Sequence, residues 1–189
     1  MNLIATLIAA QAVATPVPLT AERWETDGEV AFETRDGRQV MRLGAPVTGK
    51  RGGAAANIKG LSFATGVFEY EVMLPDAMEF SGPMFHQTDA VTGEYIYFRP
   101  HMNGKPDAIQ YTPVVNGNLN WQIFGGAGFE AQTTMPLNQW AKVRVDIYPA
   151  SAQVLVNGKP VLAIPALKNG KLSGALGFAS LIRRPLRCW

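Results

Sequence analysis

Tyr95, Tyr97 and Arg99 stand at alternate positions of the segment EYIYFRPHM, residues 94–102. In an extended chain, alternate side chains share one face. Ile96 and Phe98 take the other parity. If those two apolar residues fill a core, the tyrosines and the arginine line the opposite surface. Aromatic rings pack on the apolar faces of ring-shaped ligands, while Arg and Gln reach hydroxyls, which is the make-up of a polar-ligand cleft. His101 adjoins Arg99, and Gln110, Tyr111 and Trp121 repeat the mix on the runs that follow. At Ile109 and Tyr111 either parity suits a core, so the face of Tyr111 stays open. The competing role for these rings is packing, with each polar tip satisfied inside the protein.

Carboxylates supply the second kind of chemistry. Glu69 and Glu71 lie two apart in GVFEYEVML, which sets their Cα atoms about 6.6 Å apart on one strand face. Glycosidases hold two carboxyl groups roughly 5–9.5 Å apart, so the spacing fits a catalytic pair. Alternating acids on a solvated strand are also ordinary. Asp107 is the third catalytic candidate: with His101 it brackets the loop from Met102 to Pro106. That pair could orient a proton donor or brace the loop, and the short loop favours bracing. Asp76, Glu79 and Asp89 are the acids that would hold calcium, but no loop consensus spaces them. His86 and His101 are too far apart, and too poorly supported by cysteine, for a zinc site. The expectation is no metal and no cofactor. No serine-nucleophile elbow or P-loop is present, and Gly125–Gly128 reads as a turn because no helix pattern follows it.

These residues need strands to position them. Gly66 to Leu74 alternates cleanly, with Phe68, Tyr70, Val72 and Leu74 on one face. Trp140 to Tyr148 alternates as strictly, with Ala141, Val143, Val145 and Ile147 against Lys142, Arg144 and Asp146. Tyr95 to Arg99, Ala108 to Thr112 and Trp121 to Phe124 are predicted strands. Phe80 to Gln87 is interrupted by Gly82-Pro83, so it is predicted at an edge or with a bulge. Asp36-Gly37 and Asn157-Gly158 are hairpin turns, with strands over Val30–Arg35, Gln39–Leu43, Gln153–Val156 and Val161–Ile164. Ala54–Lys59 and Leu172–Leu181 complete the set. Trp24–Gly28 reads as a polar connection and Gly44–Gly53 as a loop. No sustained helical spacing exists. About a dozen short strands between frequent turns predict an all-β, two-sheet antiparallel β-sandwich, or jelly roll.

The 189 residues suit one domain. The formal charge is +2, and Arg183, Arg184 and Arg187 in the tail account for the excess. No basic face follows, so nucleic acid is not an expected partner. The one cysteine, Cys188, rules out an internal disulfide. Leu3 to Ala14 is apolar except Thr6 and Gln11, and Ala12-Val13-Ala14 has a small-x-small form. Residues 1–14 are therefore predicted to be a signal peptide, too short to span a bilayer, which places the protein in the secreted or periplasmic space. Residues 15–21 follow as an extended leader.

Several segments are similar to secreted bacterial members of the concanavalin A-like lectin/glucanase superfamily, in particular its laminin-G-like and 3-keto-glycoside hydrolase-like domains. They are GVFE (66–69), YFRPH (97–101), PDAIQYTP (106–113), Asn116-Gly117, Trp121-Gln122, Trp140 and GALGF (174–178). The resemblance covers residues 22–181. It implies a jelly roll whose concave sheet often faces sugar; joined to the residue types and alternation above, the expected glycan contacts are Tyr95, Tyr97, Arg99, His101, Gln110, Tyr111 and Trp121. It leaves enzyme activity undecided, because many such domains only bind. Two alternatives stay open: a glycoside hydrolase acting on di- or oligosaccharides, oxidised ones included, and an adhesive envelope domain with no ligand. The sequence departs from the glucanase branch in lacking its Glu-x-Asp-x-x-Glu strand. It departs again at 182–189 (IRRPLRCW), a basic, proline-broken end that is either a natural tail or a truncated or frameshifted one. Oligomeric state is not legible.

Overall fold

The structure, a computed structural model, describes residues 15–44 and 53–181. The predicted signal peptide, most of the Gly44–Gly53 loop and the 182–189 tail lie outside the described residues. The strands in chain order are β1 (Trp24–Asp27), β2 (Val30–Arg35), β3 (Arg38–Leu43), β4 (Ala54–Ile58) and β5 (Gly66–Met73). Then come β6 (Phe80–Asp89), β7 (Thr92–Phe98), β8 (Ile109–Val115), β9 (Asn118–Leu119) and β10 (Glu130–Ala131). Last are β11 (Trp140–Ile147), β12 (Ala152–Val156), β13 (Lys159–Ile164) and β14 (Ala175–Leu181). The one helical element described is a 3₁₀ turn at Pro100–Met102. No helix among the described residues is long and apolar enough to cross a membrane.

The large sheet runs β1-β4-β14-β6-β7-β8-β10, with β9 pairing beside β8, and the small sheet runs β13-β12-β11-β5. Strands β2 and β3 form a separate hairpin. Every strand pairing is antiparallel. This is the all-β sandwich that the alternation predicts.

Period two decides what is buried. Phe85, Ile96, Phe98, Ile109 and Tyr111 of the large sheet meet Val143, Val145, Ile147, Val154 and Ile164 of the small sheet, all at most 2% exposed. Each such large side chain contributes about 1.5–3 kcal/mol through its burial. The predicted turns at Asp36-Gly37 and Asn157-Gly158 are two-residue links with positive φ at both positions (50° and 73°, 49° and 78°), and Asn116-Gly117 (50° and 77°) matches them. That geometry suits the right-handed twist of paired strands.

Two local readings need correction, and a third is decided between its alternatives. Trp24–Gly28 is not a connection: β1 pairs with β4 at the sheet edge, and Trp24 is buried, its Nε1 donating to Pro18 O at 2.9 Å. One apolar residue among polar ones is too short a pattern to announce a strand. Trp121–Phe124 is a turn, not a strand, because Asn120 O accepts from both Ile123 N (3.0 Å) and Phe124 N (3.1 Å). For Phe80–Gln87, predicted at an edge or with a bulge, the bulge is what the structure shows, since β6 lies between β14 and β7. It is bulged, with a register shift between Phe85 and Asp89 and His86 at φ 50°.

Candidate functional site

The outer face of the large sheet, turned away from the core, carries most of the predicted site. Tyr97 pairs with Gln110 across β7 and β8, and Gln110 with Glu130 across β8 and β10, so the three side chains share one row. They are chained together. The Tyr97 hydroxyl donates to Gln110 Oε1 at 2.7 Å, and Gln110 Nε2 donates to Glu130 Oε2 at 2.9 Å. The amide is thereby fixed in one orientation. Tyr95 packs beside Tyr97, with ring centroids 4.9 Å apart and the planes tilted by 34°. Its hydroxyl donates to Phe80 O at 2.7 Å and lies 3.2 Å from Ala179 O. The phenol therefore reaches over β6 toward β14.

Alternation places these rings on the predicted side, but they do not stand in water. Tyr95 is 1% exposed, Tyr97 2% and Gln110 6%. With Val114, Ala179, Phe80, Met84, Leu119 and Leu181, the two tyrosines form a second, smaller apolar cluster. They are therefore not the exposed contact residues that the sequence suggests; they lie buried beneath the sheet's outer surface. Tyr111 faces the other way, into the main core. Its hydroxyl donates to Glu94 Oε2 at 2.7 Å and accepts from Lys168 N at 2.6 Å, while Asn169 N donates to Glu94 Oε1 at 2.9 Å. Burial pushes the Glu94 carboxyl up, against the two hydrogen bonds, and burial also raises the Tyr111 phenol.

The polar atoms come to the surface where β7 ends. Arg99 Nη1 donates to Asp107 Oδ2, and to Asp107 O at 3.3 Å. The two side chains are 16% and 26% exposed. Phe80 is the hub below them. The Arg99 guanidinium sits 5.6 Å from its ring centroid, His101 packs edge-on at 5.2 Å, and Tyr97 edge-on at 5.8 Å. Arg99 Nε and His101 Nδ1 are both buried without a hydrogen-bond partner. Desolvation, then the Arg99 charge, lower the His101 imidazole below its ordinary value; Asp107 opposes them. The loop is braced by Asn103, whose Nδ2 donates to Met135 O (3.0 Å) and whose Oδ1 accepts from Met135 N (2.8 Å). Asp107 is occupied by Arg99, so the brace is not the His101–Asp107 pair.

The structure thus brings Tyr95, Tyr97, Arg99, His101, Asp107 and Gln110 together and adds Phe80 and Glu130. Phe80 shares parity with Met84, a signal present in the sequence; the approach of Glu130 is long-range and leaves none. Trp121 is 39% exposed in the turn between β9 and β10, next to Asn120, whose Nδ2 donates to Pro113 O at 3.1 Å.

Glu69 and Glu71 lie elsewhere, on the outer face of the small sheet. Glu69 is 3.0 Å from Lys142 Nζ and 3.9 Å from Arg144 Nη1, and Glu71 is 2.7 Å from Arg38 Nη1. Both are exposed and held by cations. The three acids considered for calcium do not meet. Glu79 accepts from Ser81 and, at 2.9 Å, from Ser180. Asp89 ends the ten-residue β6, roughly 30 Å along the strand, and accepts from Val91 N at 2.8 Å. Among the described residues no three His, Cys, Asp or Glu side chains are grouped to hold a metal ion.

No family model matches the chain, and no curated protein matches it. Solved structures do. The carbohydrate-binding module CBM66 from Bacillus subtilis aligns with a TM-score of 0.59 at 16% identity, over 84% of this chain and 91% of that one. A prokaryotic β-1,3-1,4-glucanase (lichenase) derived from a mouse hindgut metagenome aligns at 0.56 and 14% identity, over 90% and 85%. The carbohydrate recognition domain of Emp46p, in a point-mutant form, aligns at 0.54 and 11% identity, over 85% and 81%.

Proposed function

From a chain with the concanavalin A-like lectin/glucanase jelly-roll fold, we propose a carbohydrate-recognising domain. It takes a glycan at the Arg99 end of the outer face of its large sheet. The observation that carries this reading is the Arg99–Asp107 pair above Phe80, beside the buried and unpartnered Arg99 Nε and His101 Nδ1. A buried polar atom without a partner costs about 1–3 kcal/mol, and a ligand oxygen that supplies the partner recovers part of that cost. The Arg99 guanidinium and the Asp107 carboxylate offer donors and acceptors side by side, which suits hydroxyls that both donate and accept. Tyr97, Gln110 and Glu130 keep the floor rigid, so little order is lost on binding. The fold of a binding module and of two other carbohydrate-active proteins is consistent with this use; fold alone assigns no function. We further propose that the domain works outside the cytoplasm, on the basis of the apolar run at 3–14, and that it needs no cofactor.

Calorimetry on the full chain, guided by a glycan array, tests the proposal. Arg99→Ala should weaken the best sugar at least tenfold, and Phe80→Leu should weaken it less, while the thermal unfolding of both variants stays cooperative. No response to any sugar, or an Arg99→Ala variant that binds as tightly as the parent, overturns the proposal.

A further inference from the structure

The small sheet's outer face holds features that the Arg99 site does not use. Strand β11 turns Lys142, Arg144 and Asp146 outward, since Val143, Val145 and Ile147 fill the core. Two shallow cavities adjoin along this face and share Arg144 and Asp146. One, of about 310 Å³, is lined by Thr65, Val67, Tyr148 and Pro149 beside the shared pair. The other, of about 390 Å³, adds Glu69, Lys142 and Leu155. Each reaches the lower end of the size range of small-molecule sites.

We propose that this face is a second saccharide site, taking one neutral sugar ring against Tyr148 with its hydroxyls on the Arg144–Asp146 pair. Tyr148 is 49% exposed and Val67 48%. Isolated exposed apolar residues are ordinary, but here two of them flank one depression that an ion pair also lines. Their surfaces suit the apolar face of a pyranose ring. Arg144 Nε donates to Asp146 Oδ1 at 2.7 Å. That bond uses one donor of five and one acceptor oxygen of two. Arg144 Nη1 also lies 3.9 Å from Glu69 Oε1, so Nη2 and the second Asp146 oxygen are the groups left to meet two neighbouring hydroxyls. The charge balance sets the class of sugar. Two anions, Glu69 and Asp146, face two cations, Lys142 and Arg144, with Lys142 bound to Glu69 at 3.0 Å. The wall has no surplus cation for a uronate or a phosphate. Glu69 is then part of that wall, which gives the acid a place that the glycosidase spacing did not.

This site lies on the sheet opposite the Arg99 site and does not depend on it. The test is backbone chemical-shift mapping of the full chain with cellobiose, laminaribiose and methyl glucoside, with glucuronic acid as the charged control. A neutral probe should shift Thr65, Val67, Arg144 and Tyr148. Tyr148→Ala should weaken that response about tenfold, Tyr148→Phe should keep it, and Arg99→Ala should leave it unchanged. Shifts confined to the Arg99 end would overturn the second site and leave the first standing. Shifts confined to the Tyr148 face would do the reverse. No shift at Tyr148 with any neutral probe, an unchanged response in Tyr148→Ala, or tighter binding of glucuronic acid there overturns the inference.

Discussion

Glu94 and Tyr111 meet inside the sandwich, the phenol donating to the carboxylate Oε2 at 2.7 Å, and both side chains are fully buried. Together they hold the loop that crosses from β13 to β14. Lys168 N donates to the phenol and Asn169 N to the carboxylate. One pair on the large sheet thus pins the link between the two sheets.

A pH dependence follows from that pair. Burial raises the folded Glu94 carboxyl above its ordinary 4.5, so the folded chain holds this proton more tightly than the unfolded chain. Its contribution is complete below pH 4.5 and is lost as pH rises through the raised folded value. Glu94→Gln removes a titrating group, so the parent-minus-variant difference in unfolding free energy should shrink from pH 4 toward neutrality. Thermal or urea unfolding across that range measures it; a difference that stays flat with pH would refute the assignment.

His101 runs the other way. Its imidazole is depressed below 6.5 by burial and by Arg99, so the neutral form belongs to the folded state. The stability it contributes is present above pH 6.5 and is lost as pH falls through the folded value. Protonation also puts a second positive charge beside Arg99. Sugar affinity at the Arg99 end should therefore fall on acidification, and His101→Asn should flatten that profile. An NMR titration of the His101 ring locates the transition, and binding calorimetry at matching pH values reads its effect.

How much of this is legible in the sequence is best seen at single residues. Gly66–Leu74 and Trp140–Tyr148 announce themselves because one face of each packs against the core and period two records it. Asn157-Gly158 announces a turn because few other pairs tolerate positive φ twice. Parity likewise puts Tyr95 and Tyr97 opposite Ile96 and Phe98. It says nothing of what covers the outer face, where Phe80, Met84, Val114 and Ala179 pack with the rings. Trp121 reads as strand because aromatic and apolar residues alternate there; the local bonds to Asn120 O outweigh that preference. The Gln110–Glu130 bond joins residues twenty apart in sequence, and no short window contains it.

The acid pair on β5 yields a prediction of near silence. Glu69 and Glu71 make exposed bridges to Lys142 and Arg38, with carboxylate side chains 36% and 55% exposed. Exposed bridges of this kind contribute about 0–1 kcal/mol. Glu71→Gln should change stability within that range and leave sugar binding at the Arg99 end untouched. Glu69→Gln should do the same at the Arg99 end, while weakening any response at the Tyr148 face. Turnover of a glycoside by the parent that disappears in either variant would restore the catalytic reading that their spacing suggested.

Gly82 offers the sharpest mechanical test, because it joins the fold to the site. It sits in the middle strand of the large sheet, with β14 on one side and β7 on the other. A Cβ there would lie 2.2 Å from Ile96 O and 3.0 Å from Tyr97 Cα. Both obstacles are backbone, and neither can swing aside without opening the β6–β7 pairing. Gly82→Ala should cost about 1–3 kcal/mol or more, as overpacking does, lowering the melting temperature by roughly 2–12 °C for a domain of this size. Gly125→Ala is the control: nothing lies within 4 Å of its Cβ, and the change should stay within about 0.5 kcal/mol. The push falls on Tyr97, so the Tyr97–Gln110 bond should loosen and affinity at the Arg99 end should drop in the same variant. Equal melting temperatures for the two alanine variants would contradict the close approach of β6 and β7; a large loss of stability with full sugar affinity would detach the Tyr97 floor from binding.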